Sequence, residues 1–87
     1  MSTLTFHIKV TDYAKWRPLF DAFEPHRVAA GVTNGRVFRK AEDANEILIL
    51  FDVADVTKAR GFLTSPELKA QMQKAGAAGP PTTYFST

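Results

Sequence analysis

Two histidines are the side chains best suited to move protons near neutral pH, because imidazole titrates in that range and can act as a general acid or base. His7 lies in an alternating apolar and polar segment, and His26 directly follows Pro25 beside an apolar stripe. If both lined one cavity, they could move a proton between two positions of a bound polyketide or lactone. In the alternative interpretation, His7 is a barrel-interior residue whose hydrogen bonds are made within the protein, and His26 is a solvated helix residue.

Aromatic side chains supply candidate substrate-binding residues. Trp16, Phe20 and Phe23 recur at helical spacing, so they form a stripe that could stack on a flat ligand. Core packing is the alternative interpretation of this spacing, and the one that such a stripe more often reflects. Trp16 and Phe20 are therefore candidate binding residues, and Trp16 is the stronger of the two because a buried indole N–H needs a hydrogen-bond partner.

Basic side chains could hold an oxygen anion of such a ligand. Arg36 and Arg39 are three residues apart in a predicted strand, so they cannot share a face of the sheet. Either could hold a carboxylate or enolate oxygen by a forked contact, and Arg39 is our candidate. Tyr84 could donate its hydroxyl. In the alternative interpretation these are exposed strand residues, whose charges protect an edge strand from aggregation.

Metal, cofactor and nucleic-acid chemistry receive no support from the sequence. The chain has no cysteine, which excludes disulfides, thiolate metal sites and cysteine nucleophiles. No set of His, Asp and Glu has metal-ligand spacing. A net charge of +2, with Lys and Arg scattered along the chain, is far from the concentrated patch of a nucleic-acid-binding protein. We therefore predict no metal, no cofactor and no nucleic-acid partner.

The first half of the chain predicts a strand and a helix. Alternating apolar residues from Leu4 to Val10 are typical of a strand with one apolar face. Asp12 offers an N-cap, and an apolar stripe runs from Tyr13 to Ala30 until Gly31 ends it. Two prolines, Pro18 and Pro25, would each cost about 3 kcal/mol in a regular helix interior. We expect an irregular opening turn and a kink.

The second half completes the order β-α-β-β-α-β. The turn dipeptide Asn34-Gly35 precedes a basic and apolar strand over residues 36–40, and residues 46–53 form a strand that is apolar on both faces. Asp55 and Ser65 cap the two segments of the second helix, which Gly76 ends. Residues 82–86 form the last strand.

This order predicts one ferredoxin-like α+β domain over residues 1–87, with a four-stranded antiparallel sheet whose strands one and three are central. The helices cover one face only, so either Leu48 and Leu50 or their counterparts on the other face would meet water. Burying each aliphatic side chain is worth roughly 1.5–3 kcal/mol, and a second sheet would provide the cover. We therefore predict a homodimer through the sheet, a dimeric α+β barrel. In the alternative, Arg and Lys stems with Tyr84 or Phe85 shield this face in a monomer.

The N-terminus carries no basic region followed by an apolar stretch, and the longest apolar run covers only residues 47–51. That run is too short for a signal peptide or a membrane helix. We therefore expect a cytoplasmic protein with no membrane partner.

Several segments, spread over nearly the whole chain, resemble one known group of proteins. They are His7-Ile8-Lys9-Val10, Asp12-Tyr13-Ala14-Lys15-Trp16, Ala30-Gly31, Arg36-Val37-Phe38-Arg39, Asn45-Glu46, Phe51, Ser65-Pro66-Glu67-Leu68 and Ala75-Gly76. On these segments the chain resembles the short stand-alone members of the dimeric α+β barrel superfamily, to which the antibiotic biosynthesis monooxygenases belong. The resemblance implies the fold described above and a monooxygenase- or polyketide cyclase-like activity.

The residues of the best understood chemistries in that superfamily do not carry over. Haem-degrading relatives use an asparagine on the first strand, a tryptophan on a later strand and a histidine on the second helix, and this chain has none of these. Quinone-forming relatives without a cofactor depend on asparagine and tryptophan near a phenolic substrate. The only tryptophan here, Trp16, lies on the first helix. We therefore expect neither haem degradation nor the quinone-forming mechanism that depends on this asparagine and tryptophan.

Three functional hypotheses follow from the residues and the resemblance. The first is a cofactor-independent enzyme that oxidises, isomerises or cyclises an aromatic or polyketide-like molecule in a cleft between helices and sheet. The second is a non-catalytic homodimeric module that binds a small ligand or a protein partner. The third, an RNA-recognition domain, is not supported, because the strand that should carry basic, glycine and aromatic residues reads Glu46-Ile47-Leu48-Ile49-Leu50-Phe51.

Overall fold

A four-stranded antiparallel sheet organises residues 2–87, the part of the chain that the computed structural model describes. Its strands have the order β2-β3-β1-β4, so β1 and β3 are central as predicted. The elements follow one another as β1 (Ser2–Lys9), α1 (Tyr13–Ala22), α2 (Glu24–Ala29), β2 (Val32–Arg39), β3 (Glu46–Val53), α3 (Val56–Leu63), α4 (Pro66–Lys74) and β4 (Thr82–Ser86). The ferredoxin-like α+β fold predicted from the sequence is confirmed, with each of its two helical connections split in two.

Strand alternation gives the sheet one face that the helices cover. The register pairs Leu4 with Phe51 and Phe6 with Ile49, and side chains at these positions point to the same face. Helix residues complete the packing around them. The buried apolar residues of this covered face are Leu4, Phe6, Ile8, Ile47, Ile49, Phe51 and Val53. The core of the domain therefore lies between this face and the helices.

The opposite face of the sheet, which we name the open sheet face, has no helix over it. Phe38 pairs with Leu48, and Leu48 with His7, so these three side chains form one row across the sheet. Phe38 is 51% exposed, Leu48 38% and Tyr84 59%. Strand β3 is therefore covered on one side only within a single chain. The open sheet face comprises Thr5, His7, Arg36, Phe38, Leu48, Leu50, Thr82 and Tyr84.

The first helical segment begins where the sequence predicts and breaks in its second half. The side chain of Asp12 accepts a hydrogen bond from the Ala14 N–H at 2.9 Å and caps α1. Helix α1 continues through Pro18, so the expected irregular opening turn does not form. The kink does form: α1 ends before Phe23, and Pro25, which has no N–H to donate, lies in the first turn of α2.

Strand β2 differs from its prediction because Asn34-Gly35 forms a bulge and not a turn between elements. Asn34 has a left-handed backbone with a φ of 53°, which asparagine tolerates better than most residues. Its amide donates to the Asp52 carboxylate at 3.0 Å. The register shifts between Thr33 and Arg36, so the strand begins at Val32, ahead of the predicted start.

The second helical connection agrees with the prediction. Asp55 accepts hydrogen bonds from the N–H groups of Thr57 and Lys58 and caps α3. The Ser65 hydroxyl accepts from the Leu68 N–H at 3.2 Å and caps α4. No helix in residues 2–87 is long and apolar enough to cross a membrane.

Two glycine substitutions should have opposite effects on stability. A Cβ at Gly35 would lie 2.9 Å from Phe51 Cε1, and this ring is buried, so Gly35→Ala should destabilise the protein by about 1–3 kcal/mol through overpacking. Gly61 lies within α3 and has no neighbour within 4 Å of such a Cβ. Gly61→Ala should therefore stabilise the fold by about 0.5–1 kcal/mol. Urea unfolding of both variants measures the two changes, and a Gly35→Ala variant as stable as the unsubstituted protein would contradict this packing.

Candidate functional site

A cavity of about 50 Å³ lies between the covered face of the sheet and the helices. Its lining is almost entirely apolar and aromatic. Arg27 and Gln71 are the polar side chains in that lining. The sheet contributes Leu4, Phe6, Ile8, Ile49 and Phe51, and the helices contribute Trp16, Phe20, Phe23, Phe62, Leu63, Leu68, Met72 and Ala75.

Stacked aromatic rings form the α1 wall of this cavity. Trp16 and Phe20 are one helical turn apart, so they lie on the same face of α1, and their ring centroids are 4.7 Å apart with 25° between the planes. Phe20 then meets Phe51 of the sheet at 6.2 Å. Trp16 is only 5% exposed. The two predicted substrate-binding aromatics therefore lie in the cavity lining and also belong to the core packing around it.

A buried guanidinium adjoins these rings. Arg27 is 7% exposed, and its guanidinium carbon lies 3.9 Å from the Phe20 ring centroid, a cation–π contact. Within residues 2–87, no carboxylate comes within 4 Å of it. Burial lowers the pKa of Arg27, while Glu24 and Asp21 act in the opposite direction at longer range. A guanidinium remains protonated in proteins, so the cavity wall carries a positive charge.

The break between α1 and α2 orients both polar side chains of the cavity. The last carbonyls of a helix have no partner within it. The Phe20 carbonyl, in the last turn of α1, accepts from the Phe23 N–H at 3.2 Å and also from Arg27 Nη1 at 2.7 Å. The Leu19 carbonyl accepts from Gln71 Nε2 at 2.9 Å, which links α1 to α4 across the cavity. Helix ends, rather than acidic side chains, therefore hold these two residues.

This cavity can bind an apolar ring but must enlarge to do so. At about 50 Å³ it is smaller than the roughly 150 Å³ that accommodates benzene in a protein interior. Met72, a flexible and half-buried side chain, is well placed to move. The lining includes no carboxylate and no imidazole, so it offers stacking, exclusion of water and one positive charge.

The structure does not bring the two predicted catalytic histidines together. His7 lies on the open sheet face, where its Nε2 is 3.1 Å from the Glu46 carboxylate. His26 is exposed on α2 and stacks on Phe23, with centroids 4.4 Å apart and planes 8° apart. Neither imidazole lines the cavity. A proton relay between them across one cavity is therefore not possible in this arrangement.

The other predicted binding residues also lie outside the cavity. Arg36 pairs with Leu50 in register and Arg39 with Ile47, so the two arginines point to opposite faces as expected. Arg36 is 3.0 Å from Asp52 on the open sheet face. Arg39 donates to the Ala44 carbonyl at 2.9 Å and lies 3.8 Å from the Tyr13 ring centroid.

Tyr84 of strand β4 pairs with Thr5 and is on the open sheet face. Its side chain is exposed and lies outside the cavity lining. Any ligand that its hydroxyl contacts would therefore lie on the side of the sheet away from the helices.

Arg27 lines the cavity but is not among the residues predicted from the sequence. It lies within the apolar stripe that runs from Tyr13 to Ala30. A charged residue at a position of an apolar stripe is itself a signal, because such a position is buried and an unpaired charge there is costly. Gln71 gives no comparable signal, since its contact with Leu19 joins residues far apart in sequence.

A second, larger groove of about 500 Å³ lies between α4 and the segment before β4. Its wall includes Lys69 and Ser65, with Gly79, Pro80 and Pro81 on the other side. No aromatic ring lines it. Among residues 2–87, no three His, Asp or Glu side chains are close enough to hold a metal ion. The smaller, aromatic cavity is therefore the better candidate site.

Comparison with known proteins gives structural matches only. No protein-family model and no curated protein sequence matches the chain. A provisionally assigned antibiotic biosynthesis monooxygenase from Bordetella bronchiseptica superposes with a TM-score of 0.81 at 16% identity, over 99% of this chain and 94% of that one. SnoaB, a cofactor-independent oxygenase from Streptomyces nogalater, superposes with a TM-score of 0.75 at 14% identity, over 99% of this chain and 90% of SnoaB. A provisionally assigned antibiotic biosynthesis monooxygenase from Caulobacter crescentus superposes with a TM-score of 0.72 at 16% identity, over 97% of this chain and 85% of that one. The resemblance found in the sequence is thus confirmed for the fold.

Enlarging the cavity should create a site for a small apolar ring. Met72 and Leu19 are both half-buried residues packed against the core, but only Met72 lines the cavity. Replacing either by alanine should cost about 1–2 kcal/mol, below the range for fully buried sites. Benzene should then raise the melting temperature of Met72→Ala by more than that of Leu19→Ala. Equal responses of the two variants to benzene would argue against this cavity.

Proposed function

We propose that this chain is a cofactor-independent small-molecule enzyme of monooxygenase, cyclase or isomerase type. Its substrate would be an aromatic or polyketide-like compound bound in the cavity between helices and sheet. The observation that carries the proposal is the stacked Trp16 and Phe20 wall of a largely apolar cavity. Support also comes from the fold, which this chain shares with the cofactor-independent oxygenase SnoaB.

The three reaction types have one intermediate in common, an enolate or phenolate of the substrate. In oxygenation this anion passes one electron to dioxygen, and the substrate radical and superoxide combine to a peroxide anion. The proton lost at the start returns to the peroxide, and loss of water leaves a ketone or quinone. In isomerisation the anion takes its proton back at another carbon, and in cyclisation it attacks a carbonyl carbon. A cavity that stacks the ring and excludes water favours each of these steps.

Catalytic roles for His7 and His26 remain predictions. His7 would act on a ligand only from the open sheet face, which in a paired molecule would meet the partner's sheet. His26 would have to act from the outer surface of α2. Arg39 and Tyr84 likewise remain predicted binding residues, each on a surface away from the cavity.

We further propose that two copies pair through the open sheet face. Phe38 and Leu48 are exposed neighbours in one row of this face, and Tyr84 is exposed on β4, beyond the central strand β1. Exposed apolar side chains grouped on one face mark interaction sites. The charges nearby are compatible with burial, because Arg36 pairs with Asp52 and His7 contacts Glu46 within the same chain. A twofold pair of such faces would form the dimeric α+β barrel.

The alternative function is a non-catalytic homodimeric module that binds a small ligand. One observation favours it: the cavity lining contains no carboxylate or imidazole to act as a general base. We also propose that residues 1–87 act as one domain, built on the single four-stranded sheet, and that this domain is cytoplasmic. The small net charge of +2, spread along the chain, supports the proposal that it has no nucleic-acid partner.

A ligand screen tests the proposed site. Simple phenols, quinones and polyketide mimics at 100 times their dissociation constants should stabilise the protein by roughly 2.7 kcal/mol. Trp16→Leu should weaken binding by tenfold or more because the stacking surface is lost. Phe85→Leu, which changes a half-buried aromatic outside the cavity, should bind as before. A screen without a single hit, or equal losses in both folded variants, would reject the cavity as the substrate site. Consumption of dioxygen by a bound hit would separate the enzyme from the binding module.

Charge substitution tests the pairing. Leu48→Glu introduces a carboxylate into the open sheet face and should convert a dimer into a folded monomer, as measured by light scattering. Val28→Glu makes the same change at an exposed residue of α2 and should leave the dimer intact. Dimeric Leu48→Glu, or a monomeric unsubstituted protein at high micromolar concentration, would refute pairing through this face.

A further inference from the structure

We propose that Arg27 makes the cavity selective for anions, so that its ligand is a conjugated ring bearing a carboxylate, phenolate or enolate oxygen. The inference rests on the proposed function, in which the cavity binds an aromatic compound, and names the class of that compound. The forked contact with an oxygen anion, which the sequence predicted for Arg36 or Arg39, is here made by Arg27.

The first ground is the absence of a partner for a buried charge. A guanidinium has five N–H donors, and the hydrogen bond that Arg27 makes to the Phe20 carbonyl uses one of them. Buried charges in proteins are otherwise paired or bound to a ligand. No carboxylate lies within 4 Å among residues 2–87, and Glu24 and Asp21 act only at longer range. The guanidinium donors that Phe20 does not use are therefore open to solvent or to a ligand at the cavity.

The second ground is the contrast with the other arginines around the site. Arg17 also approaches the Phe20 ring, at 5.8 Å, but it is partly exposed and bound to Asp21 at 3.1 Å. Arg36 is bound to Asp52. Arg39 stacks on Tyr13 at the edge of the sheet. Of these four arginines, Arg27 alone is buried and lines the cavity.

The third ground is the geometry of the aromatic wall. Arg27 lies 3.9 Å from the Phe20 ring centroid, and Phe20 stacks on Trp16. Trp16 and the guanidinium cover the two faces of Phe20, so a flat ligand would lie against the edge of this wall, with a ring substituent within reach of the guanidinium. Planar guanidinium groups bind two oxygens, or one delocalised oxygen anion, through parallel N–H donors. The wall and the charge therefore recognise adjacent parts of one molecule.

A positive charge in this position also fits the proposed reactions. Oxidation, isomerisation and cyclisation all pass through a substrate anion, and a fixed cation in a dry cavity stabilises that anion as it forms. Arg27 would then lower the pKa of a bound phenol or enol without accepting the proton itself. The proton would leave to water at the cavity entrance.

Matched anionic and neutral probes test the inference. Benzoate and benzamide have nearly the same shape and differ in charge. At constant ionic strength, the unsubstituted protein should bind benzoate at least tenfold more tightly than benzamide. Arg27→Gln should bind the two equally. Arg17→Gln, which removes the same charge from a neighbouring partly exposed residue, should keep the preference and so control for net charge.

The outcomes separate this inference from the proposed function. Equal binding of both probes by the unsubstituted protein, or a preference that survives in Arg27→Gln, would overturn the role of Arg27 and leave the aromatic site standing. If neither probe binds, both proposals fail. If Arg27→Gln does not fold, nitrogen-15 NMR of the arginine side chains in the unsubstituted protein decides. The Nε resonance of Arg27 should move with benzoate and that of Arg17 should not, and an unmoved Arg27 resonance overturns the inference.

Discussion

The break in the first helical connection, at Phe23 and Pro25, is the constraint on which the candidate site depends. Pro25 has no N–H, so the helix that begins at Tyr13 cannot continue with regular bonds through this point. The regular hydrogen bond from residue 25 to the Asp21 carbonyl is therefore lost. Carbonyls in the last turn of α1 accept from side chains instead or in addition: Leu19 accepts from Gln71 of α4, and Phe20 accepts from Arg27 as well as from the Phe23 N–H.

The two faces of the sheet divide the proposed functions between them. Alternation along the central strands sends Phe6 and Ile49 towards the helices, and His7 and Leu48 away from them. Apolar residues on the first side enclose a small cavity with one cation. Residues on the second side combine exposed apolar surface with charges that are already paired. The proposed ligand binding and the proposed self-association would thus use different side chains of the same strands, and we expect substitutions on one face to affect the other only weakly.

Local signals in the sequence predicted most of the fold. Asp12, Asp55 and Ser65 cap helices by accepting hydrogen bonds from N–H groups two or three residues further along the chain. Strand alternation likewise depends only on neighbouring positions. The bulge at Asn34 could not be predicted in the same way, because it depends on Asp52 of another strand. The prediction of an irregular opening turn at Pro18 was wrong for a related reason. Packing of α1 against the sheet tolerates a proline that an isolated helix would not.

The candidate site was less predictable than the fold. Trp16 and Phe20 could be found because helical spacing alone puts them on one face. His7 and His26 could not be assigned to a cavity, since no local pattern says which face of the sheet the helices cover. The role of Arg27 follows from its burial by elements that are distant in sequence. Its position in an apolar stripe is the one local signal of that burial.

The central claim is that ligands bind between the helices and the covered face of the sheet. Methyl NMR of the unsubstituted protein titrated with phenol tests it most directly, because both faces carry methyl groups. The account predicts that signals of Leu4, Ile49 and Met72, which line the cavity, move with phenol while those of Leu48 and Leu50 stay. Movement of the Leu48 and Leu50 signals, with Leu4, Ile49 and Met72 unchanged, would put the ligand on the open sheet face and contradict the account.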